Sequence, residues 1–205
     1  ILTYIGHSEK VFTMKRLLLI FILTFSFQTL VKADDIRDFE IEGISIGDSL
    51  LDHFSVDEIN DFPEDFYPKS KKFYIKYLFS NEYTSYDIMK VALKKNSNQI
   101  YSLSGSLFFD NFDKCNIKKK EIIKSISTSF KVKIDDKGIF KVPDLADNQS
   151  KKSQTEIPLL NGSGLFSVQC TDWSLEAETK NNWRDNLSVT VYTKEYENFL
   201  RNEAY

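Results

Sequence analysis

The chain has 205 residues, with 27 basic and 30 acidic side chains for a formal net charge of −3, and it is 41% hydrophobic and 14% aromatic. That supply of apolar side chains excludes global disorder, and the acidic excess opposes general attraction to nucleic acid phosphates. Two cysteines and two histidines are too few for a zinc or iron centre, so no metal or cofactor is expected.

Residues 14–33 read as a signal peptide. Lys15 and Arg16 form a basic start, Leu17 to Leu30 an apolar core, and Val31, Lys32 and Ala33 a small-x-small exit, so cleavage is expected after Ala33. At about 1.5 Å per residue the apolar run reaches roughly 21 Å, short of a hydrocarbon core of about 30 Å. Residues 1–13 hold no methionine and are expected to be an upstream extension ahead of Met14. His7 leaves with them, and His53 is then the single histidine. Asp34 stands where a lipid-bearing cysteine would, so no membrane anchor is expected after cleavage. The product, residues 34–205, is expected to be a soluble periplasmic or secreted protein.

Residues 34–65 carry twelve acids and one arginine, which leaves the remainder mildly basic. This segment is expected to lie solvated across the body and pair with it loosely; the alternative is a docking surface for a basic partner. Within it, Asp48 is placed to cap a short helix through Phe54, and Ser55 with Glu58 forms an S-x-x-E capping box. Leu50, Leu51, Phe54 and Ile59 would supply the buried side. Pro63 and Pro68 then end the helical stretch.

From Phe73 the period becomes two. Phe73, Ile75, Tyr77 and Phe79 alternate with Tyr74, Lys76 and Leu78, and Met89, Val91 and Leu93 alternate with lysines and alanine. In a third strand Tyr101, Leu103, Gly105, Leu107 and Phe109 face one way, and Ser102, Ser104 and Ser106 the other. With turns at NEYTS and KNSNQ, this predicts an antiparallel meander with one wet face. Asn116 is placed to cap the next helix, whose Ile122, Ile123, Ile126 and Phe130 form one stripe. KVKIDDKGIFKV reads as a small hairpin around Asp136 to Gly138, or as a frayed helix end. Residues 143–164, polar and ending in Gly-Ser-Gly, are expected to be a long mobile loop. LFSVQCTDW and LSVTVYT give two more strands, and a terminal helix presents Tyr196, Phe199 and Leu200 on one side.

This order predicts an α+β fold, an antiparallel sheet of about five main strands with helices packed on one face, in a single compact domain with room for two lobes. Cys115 and Cys170 both survive signal removal, and an oxidising compartment favours their pairing. The bridge would close a loop of roughly 50 residues and contribute about 4 kcal/mol in the chain-entropy model.

Chemical motifs are sparse. His53 has only the adjacent Asp52 as a triad partner, and neighbouring helical residues do not share a face. The acidic run Asp57, Glu58, Asp61, Glu64 and Asp65 lacks the glycine-containing calcium loop. Lys118, Lys119 and Lys120 fan around a helix and read as a solvated face. N-x-[ST] sequons occur at Asn148, Asn161 and Asn186. Five aromatics stand out as possible contact residues: Phe62, Phe66 and Tyr67 on a proline-framed acidic turn, and Trp173 and Trp183 flanking the last hairpin. Core and cross-strand packing is the plainer account of them.

At FEIEGISIGDSLLDHFS, Phe39 to Ser55, the chain resembles a set of small exported bacterial proteins that begin this way after their signals. The same element is similar to the strand-to-helix opening of small lipoproteins related to the outer-membrane assembly subunit, although the lipid-bearing cysteine is missing. The expectation is a non-enzymatic binding module of the cell envelope, with an envelope protein or small ligand as partner and no nucleic acid. A secreted carboxylate-dependent hydrolase is the alternative.

Overall fold

A computed structural model describes residues 35–79, 83, 85–142 and 147–205. The upstream extension and the signal peptide of residues 14–33 lie outside the described residues. Among the described residues no helix is long and apolar enough to cross a membrane.

The structure is α+β. A small hairpin, β1 (Glu40–Ile41) and β2 (Ile44–Ser45), is followed by helix α1 (Val56–Asp61) and strands β3 (Glu64–Phe66), β4 (Phe73–Leu78), β5 (Ile88–Lys94) and β6 (Ile100–Phe108). Helix α2 (Phe112–Ser129) leads to β7 (Asp135–Lys141), β8 (Lys151–Pro158) and β9 (Gly164–Asp172); α3 (Leu175–Asn181), β10 (Asn186–Thr193) and α4 (Lys194–Asn202) complete the chain. Strands β3 to β10 form one eight-stranded sheet in the order β3-β4-β5-β6-β10-β9-β8-β7, with every neighbour antiparallel. The last strand thus enters between two meanders and joins them.

Eight strands replace the five expected, and β8 is the main reason. Lys151 to Pro158 falls within the stretch read as a long mobile loop, yet Ser153, Thr155 and Ile157 point inward and are buried. Two of those three inward residues are hydroxyls, so no apolar alternation marks the strand. Each hydroxyl is satisfied inside: Lys119 Nζ donates to Ser153 at 2.6 Å, and Thr155 donates to Asp136 at 3.0 Å. The partner of β8 is β7, so the expected hairpin at Asp136 to Gly138 is instead one strand with a bulge, where Gly138 takes a φ of +68°.

One face of the sheet carries Leu78, Met89, Val91, Leu103, Val168, Phe166, Leu187 and Val191. Helix α2 covers the part over β9 and β10. Its cap is Asn111, whose side chain accepts the Lys114 N–H at 2.9 Å, more than a turn before the expected Asn116. The helix buries Cys115, Lys119 and Ile126. Lys119 therefore leaves the solvated face assigned to it from sequence. The rest of this face is covered by the acidic segment. Ile36, Ile41, Ile44, Ile46, Leu50, Ile59 and Phe62 are all buried in the same core, so the segment is a structural lid and not a loosely paired strap. Its acids point outward while its isoleucines point in. The Ser55–Glu58 capping box forms as predicted, but the turn at Leu50–Asp52 is capped by Ser49, and Leu51 is exposed.

The opposite face has its own core at one end. Tyr196 and Phe199 of α4 pack with Tyr67, Phe73, Ala92, Leu165 and Tyr192. Helices thus occupy both faces, which corrects the one-face expectation. A bulge between β5 and β6 explains part of the difference: Ala92 pairs with Ser102 and Leu93 with Ile100, leaving Tyr101 as the extra residue. Tyr101 swings to the α4 side and packs on Phe73 at 5.1 Å between ring centroids, away from Leu103 with which it was grouped.

The disulfide forms between Cys115 and Cys170, with Cα atoms 5.9 Å apart and 55 residues of sequence separation.

Candidate functional site

Beyond the first row of the α4 face, the sheet presents hydroxyl, amide and lysine side chains in place of an apolar seat for a helix. Register fixes which residues share it. Lys90, Ser104, Thr190 and Ser167 lie side by side across β5, β6, β10 and β9. Ser106, Ser188, Gln169 and Gln154 form the next row, followed by Phe108, Asn186, Thr171 and Lys152. The hydroxyls are locked in pairs: Ser104 with Thr190 at 2.8 Å, and Ser106 with Ser188 at 2.8 Å. Ser188 also donates to Asn186 Oδ1 at 3.1 Å, and the Gln154 amide donates to Ser167 at 3.2 Å. A polar floor is held rigid in this way.

Two half-buried lysines stand over this floor. Lys90 Nζ lies 5.2 Å from the Tyr77 ring centroid, and Lys152 Nζ 5.7 Å from that of Trp173. Among the described residues, no carboxylate reaches either ammonium at ion-pair distance and neither makes a hydrogen bond. Burial pulls both pKa values down; the Asp65 charge partly opposes this for Lys90, and the Lys90 charge adds to it for Lys152. Other lysines of the sheet are paired. Lys76 holds Glu64 at 3.2 Å and Lys151 holds Asp172 at 2.8 Å.

Trp173 and Trp183 close one end of this surface. Their ring centroids are 4.3 Å apart, with α3 between them in sequence, and Trp183 is 36% exposed. Arg184 lies over the Phe108 ring at 3.9 Å. Next to them, Phe108, Phe109, Asp110, Glu178, Arg184 and Asp185 line an open cleft of 520 Å³. Asp185 accepts the Trp173 N–H at 2.7 Å. Burial, followed by the Asp172 and Glu178 charges, pushes its carboxyl up to about 6.

The five aromatics singled out from sequence separate into different environments. Trp173 and Trp183 are brought together beside the polar face. Phe62 is buried against Phe54, and Tyr67 is buried among Tyr196, Phe199 and Tyr205, its hydroxyl bonded to that of Tyr196. Phe66 is exposed on edge strand β3, stacked on Tyr74 with Lys71 above it. Phe62, Phe66 and Tyr67 therefore do not form one contact site: the turn that holds them sends them to different faces. His53 bonds to Asp48 at 2.9 Å, not to Asp52. Sequence reasoning missed Lys90 and Lys152. The available signal was the alternation that sets them opposite Met89 and Val91, and Ser153, but the strand containing Lys152 was not recognised.

Comparison with protein families and with curated proteins finds no match for this chain.

Proposed function

We propose that the chain is an exported, non-enzymatic binding module of the bacterial envelope, and that the polar sheet face beside Trp173 and Trp183 is the surface it uses. The observation that carries this reading is a rigid hydroxyl floor flanked by two unpaired lysines and a tryptophan pair of which Trp183 is exposed. A sheet face turned only toward water needs no paired hydroxyls and gains nothing from half-burying unpaired ammonium groups. The export side of the reading rests on the signal-like residues 14–33 and on the Cys115–Cys170 bridge, which persists in an oxidising compartment. The resemblance of Phe39 to Ser55 to small exported bacterial proteins points the same way.

Expression of the full chain in a bacterium, followed by N-terminal sequencing and native mass spectrometry of the periplasmic fraction, tests both sides. The expected result is a chain beginning at Asp34 that carries a stoichiometric bound species, lost on Trp183→Ala. A protein retained in the cytosol, or one whose bound species ignores Trp183→Ala, overturns the reading.

A second reading, a carboxylate-dependent hydrolase, is favoured by the raised carboxyl of Asp185 in the lining of the cleft, with Glu178 beside it. Asp185 already has a structural partner, the Trp173 N–H, which favours the binding reading. Hydrolysis of chromogenic esters or glycosides that disappears in Asp185→Asn would reverse the order.

A further inference from the structure

We infer that Asn161 is a self-modification site, where the chain converts its own side-chain amide to an aspartyl or isoaspartyl linkage and so alters the tip of the β8–β9 hairpin irreversibly.

The chemistry needs an asparagine whose next backbone nitrogen is open to approach. Asn161–Gly162 is the only Asn-Gly step in the chain, and every other asparagine is followed by a residue with a Cβ. Gly162 has no side chain to screen its nitrogen. The fold keeps this step at the surface: Asn161 and Gly162 are both exposed, between the end of β8 at Pro158 and the start of β9 at Gly164. The Gly162 N–H closes the turn by donating to the Leu159 carbonyl at 3.0 Å, with Gly162 at a φ of +73°. The Asn161 side chain folds back over the turn, and its Oδ1 accepts the Ser163 N–H at 2.9 Å.

In the first step the Gly162 nitrogen attacks Cγ of Asn161, and the new N–Cγ bond closes a five-membered succinimide. Negative charge gathers on Oδ1 in the tetrahedral intermediate, and the Ser163 N–H already points at that atom, as an oxyanion donor does. Cleavage of the Cγ–Nδ2 bond releases ammonia, which carries away the proton lost from Gly162. Water then opens the ring at either carbonyl. One opening gives an aspartyl residue, the other an isoaspartyl residue whose main chain runs through Cβ and Cγ. The Leu159 carbonyl holds the proton that must leave Gly162, so the folded turn restrains the reaction and makes it a slow timer.

The hairpin tip also supports α4. The Ser163 carbonyl accepts the Lys194 N–H at 3.1 Å, and the Gly164 carbonyl accepts the Leu159 N–H at 3.1 Å. An isoaspartyl link inserts a methylene into the main chain inside this closed turn, so these hydrogen bonds cannot all persist. Conversion therefore adds a negative charge and loosens the seat of α4, whose Tyr196 and Phe199 fill the smaller core.

Incubation of the purified protein in mildly alkaline buffer, followed by ion exchange, peptide mapping and enzymatic methylation of isoaspartate, tests this. The expected result is a more acidic form that accumulates with release of ammonia and maps to Asn161, with isoaspartate present. Asn161→Gln, which would have to close a six-membered ring, should lose the acidic form, and urea, which opens the turn, should speed conversion of the parent. The isolated isoaspartyl form should melt below Asn161→Asp, which carries the same charge on an unlengthened main chain. Absence of the acidic form, earlier conversion at another asparagine, or the same acidic form from Asn161→Gln overturns the inference. Conversion no faster in urea overturns the restraint by Leu159, and equal melting of the isoaspartyl form and Asn161→Asp overturns the loosening of α4.

Discussion

Cys115, in the first turn of α2, is bonded to Cys170 on the inward face of β9, so one covalent link pins the helix to the strand it packs against most extensively. Both half-cystines are buried, at 2% and 0% exposure. The double substitution Cys115→Ala, Cys170→Ala should cost about 2–4 kcal/mol in urea denaturation, mainly by freeing the unfolded chain. Reduction of the parent should give a similar loss. Equal midpoints with and without reductant would show that the bridge carries no stability.

Gly105 lies beneath the ring of Tyr86. A Cβ at this position would stand 2.5 Å from Tyr86 Cδ1, and the close ring atoms leave no flexible tip to yield. Gly105→Ala is therefore expected to destabilise by about 1–3 kcal/mol through overpacking. In combination with Tyr86→Ala the penalty of the glycine change should largely vanish, because the colliding ring is gone. A double-mutant cycle that is additive within about 0.5 kcal/mol would refute the contact.

Alkali should unfold the protein through its tyrosines. Burial pushes Tyr67 up to about 12 and Tyr77 likewise to about 12, and it also raises Tyr192 and Tyr196. In the unfolded chain these phenols ionise near pH 10. The folded form therefore holds more protons above that pH, and stability, unchanged below about pH 10, falls as pH rises from about 10 toward 12. Urea midpoints at pH 9 and 11 measure the fall, and Tyr196→Phe should reduce it. Ionisation of every tyrosine of the folded protein at pH 10, seen by ultraviolet absorbance, would contradict the burial argument.

Asp185 gives a second pH signature, with the opposite position on the scale. Its carboxyl is raised to about 6, against about 3.9 in the unfolded chain, so the folded form holds the extra proton between those values. Its destabilising contribution is absent below about pH 4, grows as pH rises from about 4 to about 6, and is constant above that. Asp185→Asn keeps an oxygen for the Trp173 N–H and removes the charge. It should raise stability at pH 7 by under about 1 kcal/mol, since solvent screens a half-exposed group, and leave stability at pH 4 unchanged. A destabilised variant at pH 7 would mean that the ionised carboxylate is itself required.

The sequence by itself determined the α+β class, the first meander, the β9 and β10 strands, the terminal helix and the cysteine pairing, because each is written in local periodicity or in residue type. Alternating Phe166, Val168 and Cys170 mark an inward face wherever the strand is placed. Local pattern did not reveal β8, whose inward Ser153 and Thr155 are made tolerable only by Lys119 and Asp136 from other elements. Nor did it place Tyr101, because a single extra residue in β6 reverses the facing of everything before it. The acidic segment looked solvated because its charges dominate its composition, while its isoleucines waited for a sheet to cover. Only the tertiary structure decided the site: the insertion of β10 between β6 and β9 lays Ser104 beside Thr190 and sets Lys90 and Lys152 on one surface, and strand order is a property of the whole chain that no local window contains.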